Sequence, residues 1–277
     1  MVTLQNIIDQ LTYPSEMEEK RAIAKILLED KYEVDKNLFL VTNEFSIPED
    51  ELAKDVSKLN SGIPIQQVVG FTYFMDHKFE VNETVLIPRP ETEELVTILL
   101  NEFLPVDSEI SLLDIGTGSG CIPISLKKAL PNANVKAWDI SPKALETATK
   151  NAILNNCIVT FEQVDILSHK EKSVQAFDLI VSNPPYVMDS EKLEMSEHVL
   201  SHEPHLALFV SDNDPLIFYS KISSYAFNNL KKGGLLAFEI NSALGKETSR
   251  IVQDNGFEET ELRQDIFGKD RFIFAKK

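Results

Sequence analysis

From residue 110 to the C-terminus, short apolar runs alternate with helical stretches, and this alternation constrains the fold more than any other feature. Ile110 to Asp114, Val135 to Asp139, Val159 to Gln163, Leu179 to Ser182, Leu235 to Ile240 and Arg271 to Ala275 read as strands. Runs that are apolar on both faces belong inside a sheet covered on both sides, and a helix between successive strands is the usual crossover of a parallel pair. The reading is an α/β domain built on a mainly parallel sheet with helices on both faces.

The 277-residue chain has room for more than this domain. Residues 3 to about 69 read as short amphipathic helices, with Ile7, Ile8 and Leu11, then Ala22, Ile23, Ile26 and Leu27, and Pro48 opening the acidic stretch Glu49 to Leu59. Between Phe71 and Val81 the period changes to alternation, which predicts a hairpin. Ile87-Pro88-Arg89-Pro90-Glu91-Thr92-Glu93 then punctuates the chain, with Pro90 or Thr92 starting a helix through Leu95, Leu99 and Phe103. The expected organisation is a helical part at 1–70, a hairpin linker at 71–90 and the α/β domain at 91–277.

The first predicted strand runs into Gly116-Thr117-Gly118-Ser119-Gly120-Cys121, followed by a helix carrying Ile122, Ile124, Leu126 and Leu130. Glycines in a strand-to-helix turn permit positive φ and close approach of a ligand to the backbone. The spacing is Gly-x-Gly-x-Gly, and Cys121 stands where the dinucleotide fingerprint has its third glycine. This favours the adenosylmethionine version of the turn over an NAD site, with residues 116–120 as cofactor contacts. Pro123 is tolerated only in the first helical turn, so the helix starts near Gly120.

Asp139 ends the next strand, 23 residues after Gly116, where a carboxylate can accept from both ribose hydroxyls. Capping of the helix that opens at Ser141-Pro142 is the structural alternative for it. Asp165 follows the third strand and suits an adenine amino group, with Ile166 against the ring face; a solvated loop aspartate is the alternative there.

The fourth strand delivers Asn183-Pro184-Pro185-Tyr186 to the C-terminal edge of the sheet, where open α/β folds bind ligands. An amide nitrogen is a poor nucleophile because its lone pair is delocalised. If the Asn183 side-chain oxygen and the Pro184 carbonyl accept its two N–H bonds, that nitrogen is positioned without a charged base or a metal. Pro185 stiffens the loop, and the Tyr186 ring suits both a planar substrate group and a cationic sulfonium. His198, His202 and His205 lie close in sequence, but Pro204 interrupts the helical spacing and no metal is expected.

The net charge of −17 argues against an extended phosphate-binding surface. Cys121 and Cys157 lack metal-ligand spacing and read as reduced thiols. No run approaches the length of a membrane span and the N-terminus lacks a signal pattern, so a cytoplasmic protein is expected.

Taken in order, these motifs resemble those of the HemK/PrmC proteins, which methylate the N5 amide nitrogen of a glutamine in class I peptide-chain release factors. The resemblance covers nearly the whole chain: the helical N-terminal segment, Gly70-x-x-x-Phe74, Ile87 to Glu93, Asp114 to Gly120, Asn183 to Tyr186, and Glu203-Pro204-x-x-Ala207-Leu208. It implies a Rossmann-like, seven-stranded class I S-adenosyl-L-methionine-dependent methyltransferase sheet with its last strand antiparallel, and a small helical domain that docks the protein substrate. It assigns Gly116 to Gly120, Asp139 and Asn183 to the cofactor and Asn183 to Tyr186 to the substrate glutamine, in a chain expected to act as a monomer. Ile166 departs from relatives with an aromatic residue beside the adenine, and Pro123 replaces a small residue. Asn-Pro-Pro-Tyr is shared with adenine-N6 methyltransferases, so a DNA or RNA amino group, a ribosomal-protein glutamine and a non-catalytic binding module are the competing readings.

Overall fold

The computed structural model describes residues 1–14, 16–40, 42, 44–105, 109–169, 176–194 and 197–277. The chain divides into two compact units: Met1–Phe71, joined by the helix Glu197–His202, and a larger unit made of Thr72–Glu194 and Glu203–Lys277.

The smaller unit contains the helices Leu4–Gln10, Met17–Ile26, Glu49–Asn60 and Ile65–Val69, with a two-residue pairing of Val2–Thr3 to Glu44–Phe45. Thr3 caps the first helix by accepting from Asn6 N at 3.0 Å, and Pro48 precedes the first residue of the acidic helix as expected. Ile7, Ile8, Leu11, Ala24, Leu27 and Leu52 meet in its core.

The larger unit is built on a seven-stranded sheet: β1 (Ser111–Ile115), β2 (Asn134–Asp139), β3 (Thr160–Gln163), β4 (Phe177–Ser182), β5 (Leu230–Glu239), β6 (Glu259–Gln264) and β7 (Asp270–Lys276). Their order across the sheet is β6-β7-β5-β4-β1-β2-β3. Strands β1 to β5 run parallel, whereas β7 is antiparallel to both β5 and β6. The seven strands and the antiparallel last strand agree with the expected fold class.

Alternation along each strand explains why both faces are covered. Leu112, Leu179, Val181, Ala237 and Phe272 point to one side, where they meet α1 (Pro90–Ile98) and α2 (Cys121–Ala129). Leu113, Ile180, Leu236, Phe238 and Ile273 point to the other, against α4 (Ile217–Asn229) and α5 (Gly245–Asp254). The remaining major helix of this unit, α3 (Pro142–Leu154), follows β2 and also begins with proline.

Pro90 occupies the first position of α1 with Arg89 as its cap, and Pro123 sits in the first turn of α2, whose cap is Gly120. The predicted hairpin comprises Phe71–Phe74 and His77–Glu80, turning through Met75 and Asp76 at φ +49° and +60°. It is fastened by Asn151 of α3, which is fully buried. Asn151 accepts from Glu80 N at 2.6 Å and donates to Glu80 O at 3.0 Å and Ser119 O at 2.9 Å.

β6 is the strand the sequence reading passes over. It is an edge strand reading Glu-Thr-Glu-Leu-Arg-Gln, with no residue fully buried, so it carries no apolar run.

Candidate active site

The C-terminal ends of β1 to β4 border a crevice of about 240 Å³. Gly116, Gly118, Asp139, Asp165, Ile166, Asn183, Pro184 and Pro185 all line it, so residues drawn from four separate strand ends share one crevice. Thr117, Ser119, Gly120 and Tyr186 do not line it. Thr117 and Ser119 are buried behind the turn, and the carbonyl of Ser119 is taken by Asn151.

The turn is pinned to the neighbouring strand, because Gly116 N and Thr117 N both donate to Trp138 O, at 2.8 and 2.9 Å. Gly118 N donates to Asp139 Oδ2 at 2.8 Å, while Ser141 N donates to Asp139 Oδ1 at 2.9 Å. Asp139 thus braces the glycine turn and the start of α3 together, and Ser141 itself caps that helix through Ala144 N at 3.2 Å. Each carboxylate oxygen retains a second lone pair for a ligand hydroxyl. Burial pushes the Asp139 carboxyl up, and the bonds from Ser141 and Gly118 pull it back. Asp165 Oδ1 accepts from Leu167 N at 3.0 Å in a local turn that still leaves the residue on the crevice wall.

Ser182 fastens the end of β4 to β1 by donating to Ile115 O at 2.5 Å. Immediately beyond it, Asn183 Nδ2 donates to Thr92 Oγ1 at 3.1 Å, and Thr92 Oγ1 donates to Glu239 Oε2 at 2.6 Å. Tyr186 OH donates to the other oxygen, Glu239 Oε1, at 3.1 Å. Asn241 Nδ2 holds the Tyr186 carbonyl at 3.0 Å, and Val187–Met188 pairs with Phe209–Val210. Burial, followed by the nearby Glu239 charge, pushes the Tyr186 phenol well above its usual range, so it stays protonated as a donor.

Thr92 and Glu239 are the residues that motif reading did not assign. Thr92 belongs to the Pro88 to Glu93 segment, and Glu239 ends a parallel strand at the functional edge of the sheet, a position that itself signals function in this architecture. Val85, Leu86, Ile140, Leu206, Phe218 and Ile222 supply apolar wall not named beforehand. Arg89 and Glu203 pair at 2.5 Å and join two motif segments; Glu203 is 4% exposed.

His202 Nε2 lies 3.2 Å from Ser61 O, and the His205 ring packs edge-on to Phe209. The side chain of His198 lies outside the described residues. Among the described residues no group of three or more His, Cys, Asp or Glu side chains is placed to hold a metal ion. None of the described helices is long and apolar enough to cross a membrane.

Residues 94–207 match the family model described as methyltransferase small domain. A release factor glutamine methyltransferase from Flavobacterium psychrophilum is 54% identical over 212 residues, covering 76% of this chain and 74% of that one. One from Leptospira interrogans is 36% identical over 100% of this chain and 98% of its own. The chain belongs to the release factor glutamine methyltransferase family. A methyltransferase from Pyrococcus furiosus aligns with the fold of this family member at a TM-score of 0.54, with 16% identity over 83% of this chain and 97% of that one. The family resemblance read from the motifs therefore holds along the chain.

Proposed function

We propose that the chain transfers a methyl group from S-adenosyl-L-methionine to the N5 amide nitrogen of a glutamine side chain in class I peptide-chain release factors. The names carried by its relatives support the substrate, and the orientation of Asn183 supports the chemistry. With Nδ2 committed to Thr92, Asn183 Oδ1 is the end left for an incoming donor. In this reading the second acceptor is the carbonyl of Pro184, the next residue along, which also lines the crevice. Two acceptors match the two N–H bonds of a primary amide, and holding both turns a diffuse nucleophile into an aligned one.

The crevice fits the cofactor in charge and polarity. Behind the crevice wall, Asp114 is 1% exposed, and its carboxyl and the Thr117 hydroxyl have only each other for company among the described residues. The crevice wall itself carries Asp139 and Asp165 and, among the described residues, no Lys or Arg, which suits a ligand bearing an ammonium and a sulfonium. Asp139 is positioned for ribose hydroxyls, while Ile140 and Ile166 provide apolar wall for a base. When bound, the cofactor supplies an electrophilic methyl group.

The cations flanking the acceptor segments are paired: Arg89 with Glu203, Arg271 with Asp265 at 3.2 Å, and Lys192 with Asp189 at 2.7 Å. That gives a nucleic-acid acceptor little support. In this proposal the helical unit Met1–Phe71 docks the protein substrate, and the enzyme works as a monomer in the cytoplasm. Asn183→Ala removes one of the two acceptors. Single-turnover transfer should fall by about 10²-fold or more while the denaturation midpoint stays near wild type; a variant with wild-type transfer would refute the mechanism.

A further inference from the structure

Glu239, at the end of β5, is 1% exposed and does not line the crevice. A buried carboxylate is costly unless hydrogen bonds and opposite charge compensate it. Here Thr92 and Tyr186 each donate a hydroxyl to it, and the Arg271 guanidinium adds favourable charge.

The consequence lies one residue further out. A hydroxyl has a single proton. Thr92 gives its proton to Glu239 at 2.6 Å, so it meets Asn183 only with lone pairs, and the 3.1 Å contact has to be made by Nδ2. Turning the Asn183 amide over would set its oxygen against those lone pairs and its NH2 against the N–H bonds of the acceptor amide. Glu239 therefore fixes the orientation of a side chain it does not touch.

We propose that Glu239 is a positioning residue for methyl transfer: through Thr92 it locks the Asn183 amide with its oxygen toward the acceptor nitrogen, and through Tyr186 it steadies the adjoining ring. This rests on the amide-nitrogen reading above. Glutamine at 239 offers one oxygen and one NH2 to two hydroxyls, which frees Thr92 to donate to Asn183 and releases the lock.

The test uses the full chain with S-adenosyl-L-methionine and an unmethylated class I release factor, comparing wild type, Glu239→Gln, Thr92→Val, Thr92→Ser and the Glu239→Gln/Thr92→Val pair. Glu239→Gln and Thr92→Val should each lower kcat by about 10²-fold, the scale of losing one preorganised group. KM for the release factor and Kd for S-adenosylhomocysteine should change by less than about threefold, because binding groups remain in place. Thr92→Ser keeps the hydroxyl and should stay within about threefold of wild type. The double variant should be no slower than the slower single one, since both act through one orientation. Variants with near-wild-type kcat, a serine as damaging as valine, or multiplicative losses would overturn the proposal. If Glu239→Gln does not fold, the Thr92 pair decides alone. Normal glutamine methylation by wild type with unaffected variants defeats this inference only; wild-type methylation of a different group defeats the amide reading and this inference with it.

Discussion

Replacing either Gly118 or Gly120 by alanine adds one methyl group to the same turn, yet the two changes should fail in different ways. Gly120 has φ +81°, and an added Cβ would lie 3.0 Å from Ile124 Cδ1, 3.1 Å from Ala148 Cβ and 3.4 Å from Ala148 Cα. The left-handed backbone costs about 1–2 kcal/mol for a residue with a side chain. Forcing α2 away from α3 adds about 1–3 kcal/mol of overpacking. The loss of unfolded-state freedom offsets about 0.4–1 kcal/mol, leaving a net destabilisation of about 1–5 kcal/mol. Gly118 has φ +54° and no protein atom within 4 Å of the added Cβ, so it escapes the overpacking and its net cost is about 0–1.6 kcal/mol. It lines the crevice, however, so the methyl intrudes where the ligand would approach. Urea unfolding should separate the two midpoints, and calorimetric titration with S-adenosylhomocysteine should show at least about tenfold weaker binding for Gly118→Ala, with Gly120→Ala losing stability first. Equal destabilisation by both, or unchanged binding by Gly118→Ala, would refute this account of the turn.

Asn151→Leu removes three hydrogen bonds and strands the backbone groups of Glu80 and Ser119, so urea unfolding should show a loss of about 2–4 kcal/mol; a loss under about 1 kcal/mol would contradict that role. Asp114 is pushed by burial from 3.8 to about 7. Its folded form holds the proton more tightly than its unfolded form, so its contribution is fully present below about pH 4, declines as pH rises and levels off above about 7, a total of order 4 kcal/mol. Asp114→Asn should abolish that slope, and parallel stability curves for the two proteins between pH 5 and pH 8 would count against it. Asp139→Asn sets an NH2 against the N–H of either Gly118 or Ser141, so one bond of the brace and one acceptor are lost together. Titration should show S-adenosylhomocysteine binding weaker by about tenfold and urea unfolding a loss of about 1–3 kcal/mol; unchanged affinity would remove Asp139 from the cofactor site.

Features set by local backbone were legible in the sequence. The glycine turn, the proline-started helices α1 and α3 and the stiffened Asn183 to Tyr186 loop each follow from a few adjacent residues, and the parallel sheet follows from runs that are apolar on both faces. What escaped detection depends on residues far apart in the chain. Thr92 and Asn183 are 91 positions apart, and Thr92 and Glu239 are 147 apart, so no spacing rule connects them. Arg89 and Glu203 were visible as members of two motifs but not as a pair. The edge strand β6 escaped for a different reason: with only half its surface needing cover, it has no apolar pattern to read. Asp139 shows the intermediate case, since its place at the end of β2 was legible while its bond to Gly118 N was not.

In the proposed reaction Asn183 and Pro184 present a glutamine amide nitrogen for methylation. Incubating the enzyme with isotopically labelled S-adenosyl-L-methionine and a purified class I release factor, then locating the label by mass spectrometry of the digested substrate, tests it directly. One methyl group is expected on the side-chain nitrogen of a single glutamine, absent when Asn183→Ala replaces wild type. Label on any other residue type, or on nucleic acid carried with the factor, would contradict it.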